Sequence, residues 1–133
     1  MGMLEDLGGY LDTQLQTLTL GTNFFYGLMP ETVANVVAIY ANGGAPPNFT
    51  MGSNHLPRLE RPQLQSLVRN TSYATGESLA ISVYQTLTQI TNQSINGTTY
   101  LRVEALSMPA LLERDANKRA IFTCNFDVVR IPT

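Results

Sequence analysis

Ile121-Phe122-Thr123-Cys124-Asn125-Phe126-Asp127-Val128-Val129-Arg130-Ile131 sets Phe122, Cys124, Phe126 and Val128 in step, with Thr123, Asn125 and Asp127 between them. That two-residue period places large apolar groups on one side of an extended chain and small polar groups on the other, as in a strand with one covered face. A shorter alternation precedes it at Gln63–Arg69, where Leu64, Ser66 and Val68 oppose Gln65, Leu67 and Arg69. Tyr100–Ser107 reads the same way, with Leu101, Val103 and Ala105 inward and Arg102 and Glu104 outward. Val36–Ala41 is almost wholly apolar and β-rich before Asn42-Gly43-Gly44, the pattern of a central strand.

Two segments have the helical period instead. Leu4, Leu7, Leu11, Leu15 and Leu18 recur at steps of three and four. Gly8 and Gly9 interrupt this stripe, each at a cost of up to about 1 kcal/mol relative to alanine, which predicts fraying or a kink. Asn70-Thr71-Ser72 is a helix start signal, and Tyr73, Gly76, Ala80, Val83, Tyr84, Leu87 and Ile90 then follow helical spacing, with Asn96-Gly97 as the closing turn. The order α-β-β-α-β-β predicts a single α+β domain over residues 1–133. Its architecture is a four-stranded antiparallel or mixed sheet with two helices packed on one face. Between the first two strands, Asn42 to Pro62 is rich in Gly, Pro, Asn and Ser and reads as a long loop, fit for a partner-contacting arm. Pro109 to Ala120 reads as a charged connector.

Composition restricts function further. Only 14% of the 133 residues are charged, against about a quarter in an average protein. The surface must therefore be covered by Asn, Thr, Ser and Gln, which are cheaper to desolvate than unpaired charges. Seven of the eight basic residues are Arg and only Lys118 is Lys, a bias shared with protein interfaces. A net charge of −2 without a basic run argues against a face that grips nucleic acid. Glu5, Asp6 and two glycines stand where a signal peptide would carry basic residues and an apolar run, so the chain reads as soluble, made in the cytoplasm, with no membrane partner. The sequons at Asn48, Asn70, Asn92 and Asn96 read as coincidental in a chain rich in Asn, Ser and Thr.

The residues for catalysis are few. Cys124 and His55 are the nominal thiol–imidazole pair, but Cys124 keeps step with Phe122 and Phe126, which predicts a core thiol. One His and one Cys do not make a soft-metal site, and Glu113 with Asp115 reads as a salt-bridging turn. No phosphate-binding glycine motif occurs. The sequence thus predicts no enzyme, catalytic residue, cofactor, metal or small-molecule substrate.

The ordered series of residues resembles the tail terminator (minor capsid or tail-completion) proteins of long-tailed bacteriophages. The resemblance is carried by the leucine helix, Leu20-Gly21-Thr22-Asn23-Phe24-Phe25-Tyr26-Gly27 leading to Pro30, the apolar strand ending in Gly43-Gly44, and the proline loop. It continues through Arg61-Pro62-Gln63-Leu64-Gln65-Ser66-Leu67-Val68-Arg69, Tyr73-Ala74, Met108-Pro109, Glu113-Arg114-Asp115-Ala116-Asn117-Lys118-Arg119 and Phe122-Thr123-Cys124-Asn125-Phe126. It implies a virion protein of the tail and neck forming a homo-oligomeric ring, commonly hexameric, at the head-proximal end of the tail tube. Its partners would be the tail tube protein and a head-completion or stopper protein, with genomic DNA passing through the lumen without specific binding. Candidate contact residues on this reading are Asn54, His55, Arg58 and Arg61 of the loop and Glu113, Arg114, Asp115, Lys118 and Arg119 of the connector. Another neck component, such as a stopper or adaptor, and a small ligand-binding module remain as alternatives.

Overall fold

The alternating stretch at the end of the chain is the spine of the molecule. In the computed structural model, which describes residues 2–43, 45–48 and 59–131, the elements run α1 (Met3–Leu15), β1 (Phe24–Tyr26), β2 (Val36–Ala41), β3 (Ala45–Asn48), β4 (Leu59–Arg61), β5 (Gln63–Asn70), α2 (Tyr73–Thr88), β6 (Thr91–Ile95), β7 (Thr98–Ala105), β8 (Ala110–Arg114) and β9 (Ala120–Ile131). The α+β class holds, but nine strand segments replace the expected four.

Register explains the larger number. Glu60 and then Gln63 face Arg130 and Asp127 along one edge of β9, so β4 and β5 are one extended ribbon interrupted at Pro62. Proline has no N–H for the ladder, and its carbonyl still accepts from Val128 N at 2.9 Å. Likewise Ala41 faces Leu64 and Ala45 faces Arg61, so β2–β3 and β4–β5 are the legs of one long hairpin. On the other edge of β9, Thr99–Ala105 pairs with Ile131–Phe126 and Ala110–Arg114 continues along Thr123–Ala120. β6 flanks β7, and β1 flanks β2 as the one parallel pair of strands among the described residues, with an isolated parallel bridge from Leu20 to Phe24 beside it. Two expectations are thereby corrected. The ends of the Asn42–Pro62 loop are strands, and the 109–120 connector is an edge strand plus a tight turn.

The second helix is also shorter than its spacing suggested. Ser72 caps it, its hydroxyl accepting from Thr75 N at 3.3 Å, but it stops at Thr88. Asn96 (φ 51°) and Gly97 (φ 83°) turn the β6–β7 hairpin, a two-residue connection needing positive φ at both positions. The Asn-Gly signal was read as a helix stop because β6, Thr-Asn-Gln-Ser-Ile, has no apolar alternation to announce a strand. In β7 the register shifts between Tyr100 and Arg102, so Tyr100 and Val103 enter the core while Leu101 is only half-buried. The leucine helix runs unbroken through Gly8, where Tyr26 occupies the space a side chain would need: a Cβ would lie 2.3 Å from its ring. Leu18 lies beyond the end of α1 and is still buried.

One continuous core joins both helices to one sheet face. Met3, Leu7 and Leu11 of α1 and Ala80, Val83 and Leu87 of α2 meet Val37, Ile39, Leu64, Val68, Phe122, Cys124, Phe126 and Val128. The expected placement of the alternating residues of β5 and β9 is observed there. Burying each large aliphatic or aromatic side chain contributes about 1.5–3 kcal/mol. The other face has an amide ladder: Gln63 Nε2 donates to Asp127 Oδ1 at 2.9 Å, and Gln65 Nε2 to Thr123 Oγ1 at 3.2 Å.

Candidate assembly surface

At one end of that polar face two cations are buried: Arg69, on the side of β5 opposite Leu64 and Val68, and Arg119, which the sequence placed in the charged connector. Arg69 of β5 donates through Nη2 to the carbonyls of Pro30 and Val33, the latter at 2.5 Å, and its Nη1 lies 3.6 Å from Glu31. Burial, together with the neighbouring Arg119, lowers the Arg69 pKa, with Glu31 opposing. Arg69 Nε has no hydrogen-bond partner among the described residues. Arg119, at the foot of β9, donates Nη2 to Glu31 Oε1 at 2.5 Å and Nε to Asp115 Oδ2 at 2.7 Å. Glu31 itself is 72% exposed, a carboxylate at the rim that ties the segment after β1 to the sheet.

The predicted contact residues separate into three groups. Asn54, His55 and Arg58 lie outside the described residues. Asp115 and Arg119 are joined to each other within the β8–β9 turn, where Asp115 Oδ1 also accepts from Asn117 N and Arg119 N at 3.0 and 2.9 Å. Partial burial would raise the Asp115 pKa, but the hydrogen bonds and charge of Arg119 outweigh it and hold the carboxyl below its ordinary value. Arg61, Glu113, Arg114 and Lys118 are exposed. Arg114 donates Nη1 to Lys118 O at 3.0 Å, and its guanidinium carbon lies 5.9 Å from the ring centre of Tyr73. The turn carries five of the predicted residues, Glu113, Arg114, Asp115, Lys118 and Arg119; Arg61 ends β4, which pairs with β9 at Arg130, the other end of β9 from the turn.

Residues that the charge pattern did not single out stand beside that turn. All five residues of β8 are exposed, and Leu106, Met108, Leu111 and Leu112 form a run of exposed large apolar side chains around it. A signal was present: Leu111-Leu112 is an adjacent apolar pair between Pro109 and two charged residues, with no alternation to bury either. Large exposed apolar groups in contiguity mark interaction surfaces.

Elsewhere the side chains attend to the fold. An open groove of about 560 Å³ lies between α2 and the Thr17–Asn23 segment. Its rim amides are engaged: Asn23 Oδ1 accepts from Thr19 N at 2.6 Å, Asn35 Oδ1 from Thr71 N at 3.0 Å and Asn70 Oδ1 from Ser72 N at 2.9 Å. Cys124 is buried, as its alternation predicted, and its Sγ donates to Ser107 O at 3.3 Å. Burial pushes this thiol up to about 11, so it is neutral and a poor nucleophile near neutral pH. Among the described residues no three His, Cys, Asp or Glu side chains are grouped to hold a metal ion, and no helix is long and apolar enough to cross a membrane.

Comparison with curated protein sequences gives no match. The family model described as bacteriophage tail terminator protein matches residues 7–130, from the leucine helix to the penultimate described residue of β9. This chain belongs to the bacteriophage tail terminator family, structural components of the phage particle.

Proposed function

We propose that the protein forms a ring, hexameric by analogy with its family, at the head-proximal end of the phage tail tube. There it ends addition of tube protein and offers its opposite side to a head-completion or stopper protein. The observation that carries this reading is the family match over residues 7–130. A ring of identical subunits needs a heterologous contact that closes by rotation, together with separate faces for tube and neck. Three features support it: the weakly charged surface, the uncovered amide face of the sheet, and the exposed charges of Glu113, Arg114 and Lys118 at the β8–β9 turn, with Arg61 exposed separately at the end of β4. Asp115 and Arg119 act in the same contact by holding the 113–119 turn. The mildly acidic balance suits a lumen that DNA crosses without being held.

The test is length control. Purified protein is added to polymerising tail tube protein and the products are viewed by negative stain, with mass photometry of the protein alone. The reading predicts rings that cap tube ends and stop growth. Protein that ignores tube ends and binds only filled heads would instead identify a stopper or adaptor.

A further inference from the structure

The large apolar side chains left outside the core are not scattered. Of the eight that are exposed among the described residues, Leu106, Met108, Leu111 and Leu112 surround β8, while Leu20 and Leu28 flank β1. Those two elements lie on opposite sides of the sheet: β1 has β2 as its strand partner, and β8 has only β9. The register also shifts between Leu111 and Glu113, which leaves Leu112 without a partner on β9. An edge strand normally carries inward charges or is covered, because an open apolar edge associates with other chains.

Charge is divided in the same direction. The chain has no Lys or Arg before Arg58, whereas Glu5, Asp6, Asp12 and Glu31 all precede it. Glu5 and Asp12 are exposed on α1 and close enough to Tyr26 of β1 to help burial raise its pKa. At the opposite edge Arg114 and Lys118 are exposed, and neither has an ion-pair partner among the described residues. Asp6 is buried against Tyr100 and Glu31 is paired with Arg119, so the exposed charges without such partners are Glu5 and Asp12 beside β1, and Arg114 and Lys118 with Glu113 beside β8. The first apolar edge is therefore net negative and the second net positive. Such surfaces fit each other and not themselves, the requirement for head-to-tail rather than two-fold association.

We infer that the β8 edge of one subunit, through Leu111 and Leu112, docks on the β1 edge of a second copy of this chain, through Leu20 and Leu28. This rests on the ring reading above and assigns its subunit contact. The contact is between side chains. Phe24 O already accepts from Gly21 N, so β1 offers little free backbone for strand addition.

Paired cysteines test it in the full chain. Within one subunit β1, which ends two residues before Leu28, and β8, which holds Leu112, are separated by β2, β5 and β9, about four strand spacings of ~4.8 Å, beyond the reach of a disulfide, which needs Cα atoms within about 7 Å. Under mild oxidation the L28C/L112C double variant is expected to give a ladder of covalent multimers, while L28C and L112C alone stay monomeric on denaturing gels. L111D/L112D, altered only at exposed positions, is expected to keep the native circular dichroism and to lose the ring completely by mass photometry. If the wild type forms rings but the pair gives no ladder, or L112C alone links as readily as the pair, or L111D/L112D still forms rings, this contact is wrong and the ring reading stands. A wild type that stays monomeric with and without tube ends removes both.

Discussion

Tyr100 Oη donates to Asp6 Oδ2 at 2.5 Å, a bond between β7 and α1 across 94 residues of sequence in which both groups are buried. The other carboxylate oxygen accepts from Asn96 Nδ2 at 3.0 Å. Burial and then the bond to Asp6 push the Tyr100 pKa up, so the hydroxyl stays protonated, and a donor, beyond the ordinary tyrosine range. Tyr100→Phe leaves one carboxylate oxygen without its donor. Hydrogen bonds to charged groups are worth about 1.5–3 kcal/mol, and the variant is expected to lose about that much stability in urea unfolding. An unchanged midpoint would mean that water replaces the hydroxyl without cost.

Gly76 and Gly9, both in helices, are expected to respond oppositely to alanine. A Cβ on Gly76 would lie 2.9 Å from the buried Phe122 ring and 3.0 Å from Asn70 Cβ, so overpacking of about 1–3 kcal/mol outweighs the gain in helix propensity. A Cβ on Gly9 meets nothing within 4 Å, and Gly9→Ala should stabilise by up to about 1 kcal/mol. Paired thermal melts of the two variants check the sign of each.

The β8–β9 turn should weaken in acid. Because the native Asp115 pKa is held below its ordinary 3.8, the stabilisation is fully present above that value and fades as pH falls through the lowered native one. Carboxyl NMR titration of Asp115 together with exchange of the Arg119 amide, which donates to it, should show both changing in the same window. Asp115→Asn should abolish the pH dependence of that amide.

Cys124 should be silent to thiol reagents in the native state and titrate as one thiol in urea. With the native pKa raised from 9.0 to about 11, the unfolded chain ionises first, so stability is lost as pH rises from about 9 towards 11. Cys124→Ser keeps the approximate volume but removes this dependence. Alkaline unfolding of the two proteins, compared at pH 8 and pH 10, measures the difference.

The helices and the two-faced strands were legible because their signals are local. Phe122, Cys124, Phe126 and Val128 could be assigned to the core from residue spacing alone, and Val36–Ala41 was located with its exact bounds. Short segments without their own apolar period were not: Thr91–Ile95 is a strand because Tyr100 and Thr99 pair with it, and Ala110–Arg114 because β9 extends past β7. Pro62 and Asn42-Gly43 read as loop because the sequence shows the interruption and not the continued register on either side.

The candidate surface divides along the same line. Charge in the 113–119 segment was visible in sequence, yet alternation set Arg69 outward, while the fold buries it under Pro30 and Val33. By itself the sequence determined which residues must leave water, since transfer free energy belongs to each side chain and its period along the chain. Which apolar residues would stay outside was decided by the tertiary structure. Leu111 and Leu112 are as hydrophobic as any core leucine, and only the ending of the sheet at β8 leaves them uncovered.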